Sequence, residues 1–204
     1  LSSIEPMTLN DDFIERIKPC SKLCHHFHLS LQSGCDETLK RMNRKYTCAE
    51  YENIVNGLRK NFADAAITTD IMVGFPGETE DEFLKTSEFV QRISFADAHI
   101  FQYSQRKGTP AAKRPDQVAP EIKEKRSKII AEITQKSRDE FRNQFIGCEL
   151  EVLFEQPYHK DNEYFEGKTS NYLTVIVPTS ENLSGQIRNV TLLEMKDDVI
   201  VGKL

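Results

Sequence analysis

Two groups of residues in this 204-residue chain have types and spacings suited to chemistry. The first is Gly74-Phe75-Pro76-Gly77, which follows the alternating run Thr68 to Val73 and precedes the pair Thr79 and Glu82. Proline removes an amide donor and glycine accepts positive φ, so the chain bends there. A glycine-bearing bend that opens a helix is one way a backbone receives an anion, and it is equally an ordinary strand-to-helix turn. The stretch alone leaves both open. The second group is a set of polar side chains recurring at period two: Ser3 and Glu5; His26, His28, Ser30 and Gln32; Thr68 and Asp70; Asp97 and His99. Such residues hydrogen-bond a polar ligand or satisfy one another. No ligand spacing along the chain supports a metal, and none is assigned.

The elements that must position these groups follow from periodicity and capping. Strands are expected at Leu1 to Glu5, His25 to Gln32, Thr68 to Phe75 and Ala96 to Tyr103, each with one apolar parity. Helices are expected between them. Asn10 or Asp11 caps one that carries Phe13, Ile14 and Ile17. Asp36 caps a short one ending near Met42. Capping boxes at Thr47/Glu50 and Thr79/Glu82 start two longer ones. Four strand-helix alternations predict parallel strands with helical crossovers. A parallel sheet covered on both faces is apolar throughout, so a polar parity repeated on every strand predicts a lumen, as in a barrel or partial barrel around a polar ligand. The C-terminal strand ends of such a barrel form the functional rim, which gathers Glu5, Gln32, Ser33, Gly74, Gly77, Tyr103 and Ser104.

After a loop-rich connector from Gln105 to Pro120, a helix is expected from about Glu121 to Gln144. Its buried stripe is Ile122, Ile129, Ile130, Ile133 and Phe141, and its Lys and Arg residues read as a solvated face. From Cys148 the texture becomes short strands between polar turns. The expected organisation is therefore α/β, a partial parallel (β/α) barrel in residues 1–144, followed by a small antiparallel all-β, OB-like domain in residues 145–204.

Composition limits the partners. Residues 145–204 hold 5 Lys and Arg against 10 Asp and Glu, leaving 22 of each for residues 1–144 out of chain totals of 27 and 32. The net charge of -5 argues against a generic nucleic-acid binder. No run of roughly eighteen apolar residues exists, so no membrane partner is expected. Five cysteines are an odd count without a staple-like pattern, which points to a reducing, cytoplasmic setting. The chain begins without Met inside an expected strand, and the first residues do not read as a signal peptide, so a piece of a longer protein is expected.

Five motifs in series resemble the radical S-adenosylmethionine methylthiotransferases. They are SSIEP (Ser2 to Pro6), HLSLQSG (His28 to Gly34), RMNRKYT (Arg41 to Thr47), DIMVGFPGETEDEF (Asp70 to Phe83) and FQYSQRKGTPAA (Phe101 to Ala112). The likeness is greatest to the branch acting on tRNA threonylcarbamoyladenosine, and the C-terminal strands, with GKTSNYLTV (Gly167 to Val175), resemble a TRAM domain. The resemblance implies S-adenosylmethionine bound beside Glu5, Gln32, Ser33, Gly74, Phe75, Pro76 and Gly77. It implies substrate contacts at Tyr103, Ser104 and Arg106, the last suited to an anionic threonylcarbamoyl or phosphate group. It also implies a tRNA anticodon stem-loop as partner, with Lys168 and Arg188 as the RNA-contacting patch in an otherwise acidic domain.

The same resemblance implies a [4Fe-4S] cluster, whose ligands follow a CxxxCxxC pattern. Cys20 and Cys24 match its first half, but Phe27 stands where the third thiolate belongs, so both read as incidental or packing thiols. The cluster ligands are expected outside this chain, and the chain alone is expected to be inactive and to self-associate through an open barrel edge. Two other readings stay open: the same chemistry on isopentenyladenosine or on a ribosomal-protein aspartate, and a non-catalytic RNA-binding module.

Overall fold

The computed structural model describes residues 4–204, so most of the strand expected at Leu1 to Glu5, with the polar residue Ser3, lies outside the described residues. Three strands form a parallel sheet in the order β1 (His26–His28), β2 (Ala66–Val73), β3 (Asp97–Gln102). Between them run α1 (Asp11–Ile17), ahead of β1, then α2 (Asp36–Arg41), α3 (Cys48–Asn61) and α4 (Glu80–Ile93). Asn10 accepts the Phe13 amide at the start of α1, and both capping boxes form, at Thr47 with Glu50 and at Thr79 with Glu82. Asp36, expected as a cap, is instead the first residue of α2; Cys35 is the N-cap, and the Asp36 carboxylate accepts the Cys48 amide at 2.7 Å.

The ladder of β1 is shorter than its alternation predicts. Beyond His28 the chain keeps only isolated bridges, Leu29 with Ile4 and Gln32 with Ile71. Side chains take over the missing backbone bonds. The Leu31 amide donates to Thr69 Oγ1 at 3.0 Å, and the Tyr46 hydroxyl donates to the carbonyls of Ser30 and Leu31 at 2.8 and 2.9 Å. Burial pushes the Tyr46 phenol up to about 12, so it stays a donor. Gln32 adopts φ 68, a left-handed turn that ends the strand.

The apolar parity of the sheet packs under α3 and α4. Phe27, Leu29, Leu31, Ile67 and Ile71 share one buried core with Tyr51, Val55, Leu58, Phe83 and Val90. Helix α5 (Pro120–Asn143) runs beside α4 and β3 as a strut. Lys123 donates to the Tyr103 carbonyl at 2.9 Å near one end, and Ser137 to the Phe95 carbonyl at 2.9 Å near the other. Two expectations for this helix are corrected. Ile122 is exposed, because the stripe turns toward the sheet only from Arg126 onward. Arg126 is no part of a solvated face; it is buried against Glu78.

The second half is a closed five-stranded barrel, β4 (Glu149–Pro157), β5 (Tyr164–Thr169), β6 (Thr174–Pro178), β8 (Val199–Lys203) and β7 (Ile187–Lys196) in that spatial order. Its pairings are antiparallel except β6 with β8, so the expected wholly antiparallel barrel closes through one parallel pair. Its core is Val152, Phe154, Val175, Val177, Val190 and Leu192, and Phe141 at the end of α5 packs onto it. No helix among the described residues is long and apolar enough to cross a membrane.

Candidate functional site: the polar face of the parallel sheet

Parallel register places like parities side by side. His28 pairs with Thr68, Thr68 with Asp97, and Asp70 with His99. The polar side chains of three strands therefore meet on one face, opposite the helices. His26 Nε2 and His28 Nδ1 each lie 3.0 Å from Thr68 Oγ1. His28 Nε2 lies 3.2 Å from Asp70 Oδ2, Ser30 donates to that same oxygen at 3.3 Å, and His99 Nδ1 is 3.3 Å from Asp70 Oδ1. One proton arrangement satisfies the chain: His26 donates to Thr68, Thr68 to His28, and His28 to Asp70. Burial lowers the His26 pKa, which favours its neutral ring.

A cavity of about 540 Å³ stands over this face. Its far wall comes from the barrel and from the end of α5: Lys168, Asn171, Tyr172, Arg138 and Arg142. The β5–β6 turn closes it. Asn171, itself buried, donates to the Asp64 carbonyl at 3.2 Å, and the Tyr172 ring stacks on His26 with centroids 4.7 Å apart and planes 15° from parallel. This size is within the range of small-ligand sites. Thr68 stands on the polar parity read from the sequence, whereas Arg138, Arg142 and Tyr172 were not singled out as cavity residues; they reach the face only through the docking of α5 and the barrel.

The rim residues sit at the other end of the strands, so the single mouth expected from sequence is two separate places. His28, Asp70 and His99 converge; Gln32 does not line the cavity, and its backbone, at φ 68, donates to the Asp70 carbonyl and accepts from the Met72 amide, both at 2.8 Å. Ser33 is buried, with its hydroxyl 3.2 Å from Thr86 of α4. Glu5 is exposed and 3.9 Å from Arg44.

Gly74 and Gly77 both take positive φ, 72 and 80. What approaches them closely is protein. A Cβ on Gly74 would overlap the Lys123 stem, and one on Gly77 would lie 2.6 Å from Asp116 Oδ2. Their amides are taken by Glu78 at 2.7 Å and by the Asp116 carbonyl at 2.8 Å. Phe75 and Pro76 are buried, and Phe75 meets Tyr103 edge to face at 5.3 Å. The buried Tyr103 hydroxyl has no partner among the described residues, whereas Ser104 and Arg106 are exposed. In the barrel, Lys168 donates to Thr174 at 2.6 Å and lies over the Tyr172 ring, and Arg188 is exposed at the start of β7.

The cysteines of this chain do not fit an iron–sulfur cluster. Cys20 and Cys24 are exposed, which also removes the reading of them as packing thiols, and Phe27 fills the core where a third ligand would stand. Cys35 donates its thiol to Glu37, and burial raises the pKa of Cys48, so both favour the protonated form over a metal-binding thiolate.

Residues 2–90 match the Radical SAM superfamily. The chain is 39% identical over 199 residues to a tRNA-2-methylthio-N(6)-dimethylallyladenosine synthase of Acetivibrio thermocellus, covering 98% of this chain and 42% of that protein. It is 37% identical over 196 residues to the threonylcarbamoyladenosine tRNA methylthiotransferase MtaB of Bacillus subtilis, covering 95% of this chain and 44% of that protein. The chain thus spans less than half the length of these curated relatives. Among solved structures it resembles the coproporphyrinogen III oxidase of Escherichia coli, described as a radical SAM enzyme, with a TM-score of 0.55 at 12% identity over 82% of this chain and 45% of that one. That likeness is one of fold.

Proposed function

We propose that this chain is part of a radical S-adenosylmethionine enzyme that places a methylthio group on C2 of an N6-modified adenosine beside the tRNA anticodon. The supporting observation is that similarity to tRNA methylthiotransferases runs through the sheet and the barrel alike, over 98% of the chain. The reading gives this chain the polar sheet face, the glycine elbow and the barrel, and leaves the cluster ligands to a part of the protein outside it. S-adenosylmethionine contacts fall to Glu5, Gln32, Ser33 and the Gly74–Gly77 elbow. The modified adenosine falls to Tyr103, Ser104 and Arg106, and tRNA to Lys168 and Arg188. The exposed Arg106 suits the carboxylate of a threonylcarbamoyl group. The unpaired outer edge of β3 is the surface for self-association of the isolated chain.

A second reading moves the substrate to dimethylallyladenosine, the nucleoside in the name of the Acetivibrio thermocellus relative. Nucleoside mass spectrometry of tRNA from cells lacking the gene separates the outcomes. Loss of 2-methylthio-threonylcarbamoyladenosine supports the first substrate and loss of the dimethylallyl counterpart the second. Unchanged methylthio-nucleosides would overturn the proposal.

A further inference from the structure

We infer that His28, Asp70 and His99 form a site for a divalent first-row transition metal, distinct from any iron–sulfur cluster and independent of the proposed function. The three residues come from three adjacent strands, and their donor atoms all lie within 4.8 Å of one another. The His28–Asp70 and His99–Asp70 separations are 3.2 and 3.3 Å. Two ligands bound at about 2.0–2.2 Å with tetrahedral angles sit roughly 3.3–3.5 Å apart. His28 Nε2 stands at that spacing from Asp70 Oδ2 and His99 Nδ1 from Asp70 Oδ1, so one ion would take both histidines through a chelating carboxylate. The two imidazole rings stand 5.8 Å apart between centroids, and His99, whose side chain is 72% exposed, is the one with room to turn toward the ion.

The donor set fixes the class of ion. Two imidazoles and one carboxylate favour zinc, iron, cobalt or nickel over magnesium or calcium, which take oxygen ligands. Thr68 Oγ1 stands 3.0 Å from His28 Nδ1. Without an ion Nδ1 accepts from Thr68 and Nε2–H donates to Asp70. An ion displaces that Nε2 proton, and the ring takes the other tautomer, with Nδ1–H donating to Thr68 and the Nε2 lone pair facing the ion, as hydrogen-bond partners of metal-ligating histidines commonly arrange. Asp70 is oriented in turn by Ser30. Of the cations lining the cavity, Arg138 is 3.5 Å from Asp97 and Arg142 is 3.3 Å from Asp198, which offsets their charge, while Lys168 donates to the Thr174 hydroxyl over the Tyr172 ring. Three protein ligands leave a coordination position open toward the cavity of about 540 Å³, where an oxygen- or nitrogen-bearing ligand has room to bind.

The test is titration of the untagged chain, in a Cys20→Ser/Cys24→Ser background, with Co(II) as a spectroscopic stand-in and with Zn(II) in competition. Visible d–d absorption that saturates at one equivalent, carries no thiolate charge-transfer band and is displaced by Zn(II) is expected. Asp70→Asn and His99→Ala should each weaken binding at least tenfold. His159→Ala, at a residue that does not line the cavity, should leave it unchanged. His99 is mostly exposed, so its variant keeps the fold and the result reads on ligation alone. No d–d absorption, or a titration that His99→Ala and Asp70→Asn leave unaltered, overturns the inference.

Discussion

The carboxylate of Glu78 reaches back four residues to accept the Gly74 amide at 2.7 Å, and the same oxygen accepts Arg126 Nη1 from α5 at 2.7 Å. The elbow between β2 and α4 is thereby tied to the strut that carries the barrel. Burial raises the Glu78 pKa while the Gly74 amide and Arg126 pull it down. An ion pair this dry is costly to halve and cheap to replace. Glu78→Ala leaves Arg126 buried without this partner and should cost about 3–5 kcal/mol, whereas Glu78→Leu with Arg126→Met should cost less than Glu78→Ala alone. Urea unfolding followed by far-UV circular dichroism reads both. A double variant less stable than the single one contradicts this account.

Gly74 is a second hinge of the same elbow. Its φ of 72 favours glycine, and an added Cβ would run into the stem of Lys123. Gly74→Ala should therefore lose about 1–2 kcal/mol from backbone strain, with a further loss from the overlap. The overlap is with a flexible side chain, so Lys123→Ala should recover part of the loss and leave the strain. A double-mutant cycle in urea measures this coupling, and a coupling of zero would place the whole effect in the backbone.

The sequence carried the helices and the two faces of the sheet well, because capping boxes and period-two alternation are local signals. Thr47 with Glu50 and Thr79 with Glu82 form as written. What was not legible depended on contacts far apart in the chain. Nothing near Arg126 marks it as buried; only the arrival of Glu78, 48 residues upstream, does that. The residues His28, Asp70 and His99 show no ligand spacing, because a parallel sheet brings them together by register across helical crossovers. Tyr172 carries no mark of its role within GKTSNYLTV, and its stack on His26 exists only because the barrel docks on the sheet.

Acid should reach the molecule through Glu82. Arg41 donates to both of its oxygens, and this pairing lowers the Glu82 pKa below its ordinary 4.5. A carboxyl whose folded pKa is depressed stabilises the fold fully above the unfolded value and loses that contribution as pH falls through the folded one. Glu82→Gln should thus cost about 1.5–3 kcal/mol at neutral pH, with the gap to wild type shrinking below pH 4.5. Urea midpoints measured from neutral pH into acid check the direction. A gap that stays constant or widens on acidification would show that the pair contributes nothing through ionisation.

The turn that closes the cavity offers a prediction in which two substitutions at one position separate two effects. Tyr172 adopts φ 70 and is 60% exposed, yet it stacks on His26. Tyr172→Ala removes the stack and keeps a side chain in the left-handed region, so it should lose about 0.5–1.5 kcal/mol. Tyr172→Gly removes the stack too, but relieves a backbone penalty of about 1–2 kcal/mol, so it should be the more stable of the two. Asn171→Ala bears on the same contact from the other side. It deletes the donor to the Asp64 carbonyl and the acceptor of the Thr169 hydroxyl, and a buried loss of this kind costs about 1–3 kcal/mol. Hydrogen exchange at the β5–β6 turn should rise with Asn171→Ala while the amides of α3 stay protected, because the docking contact and the sheet core are separate units. If Tyr172→Gly proves less stable than Tyr172→Ala, relief of the left-handed backbone does not outweigh the freedom glycine adds to the unfolded chain, and the φ of 70 is not what limits this segment.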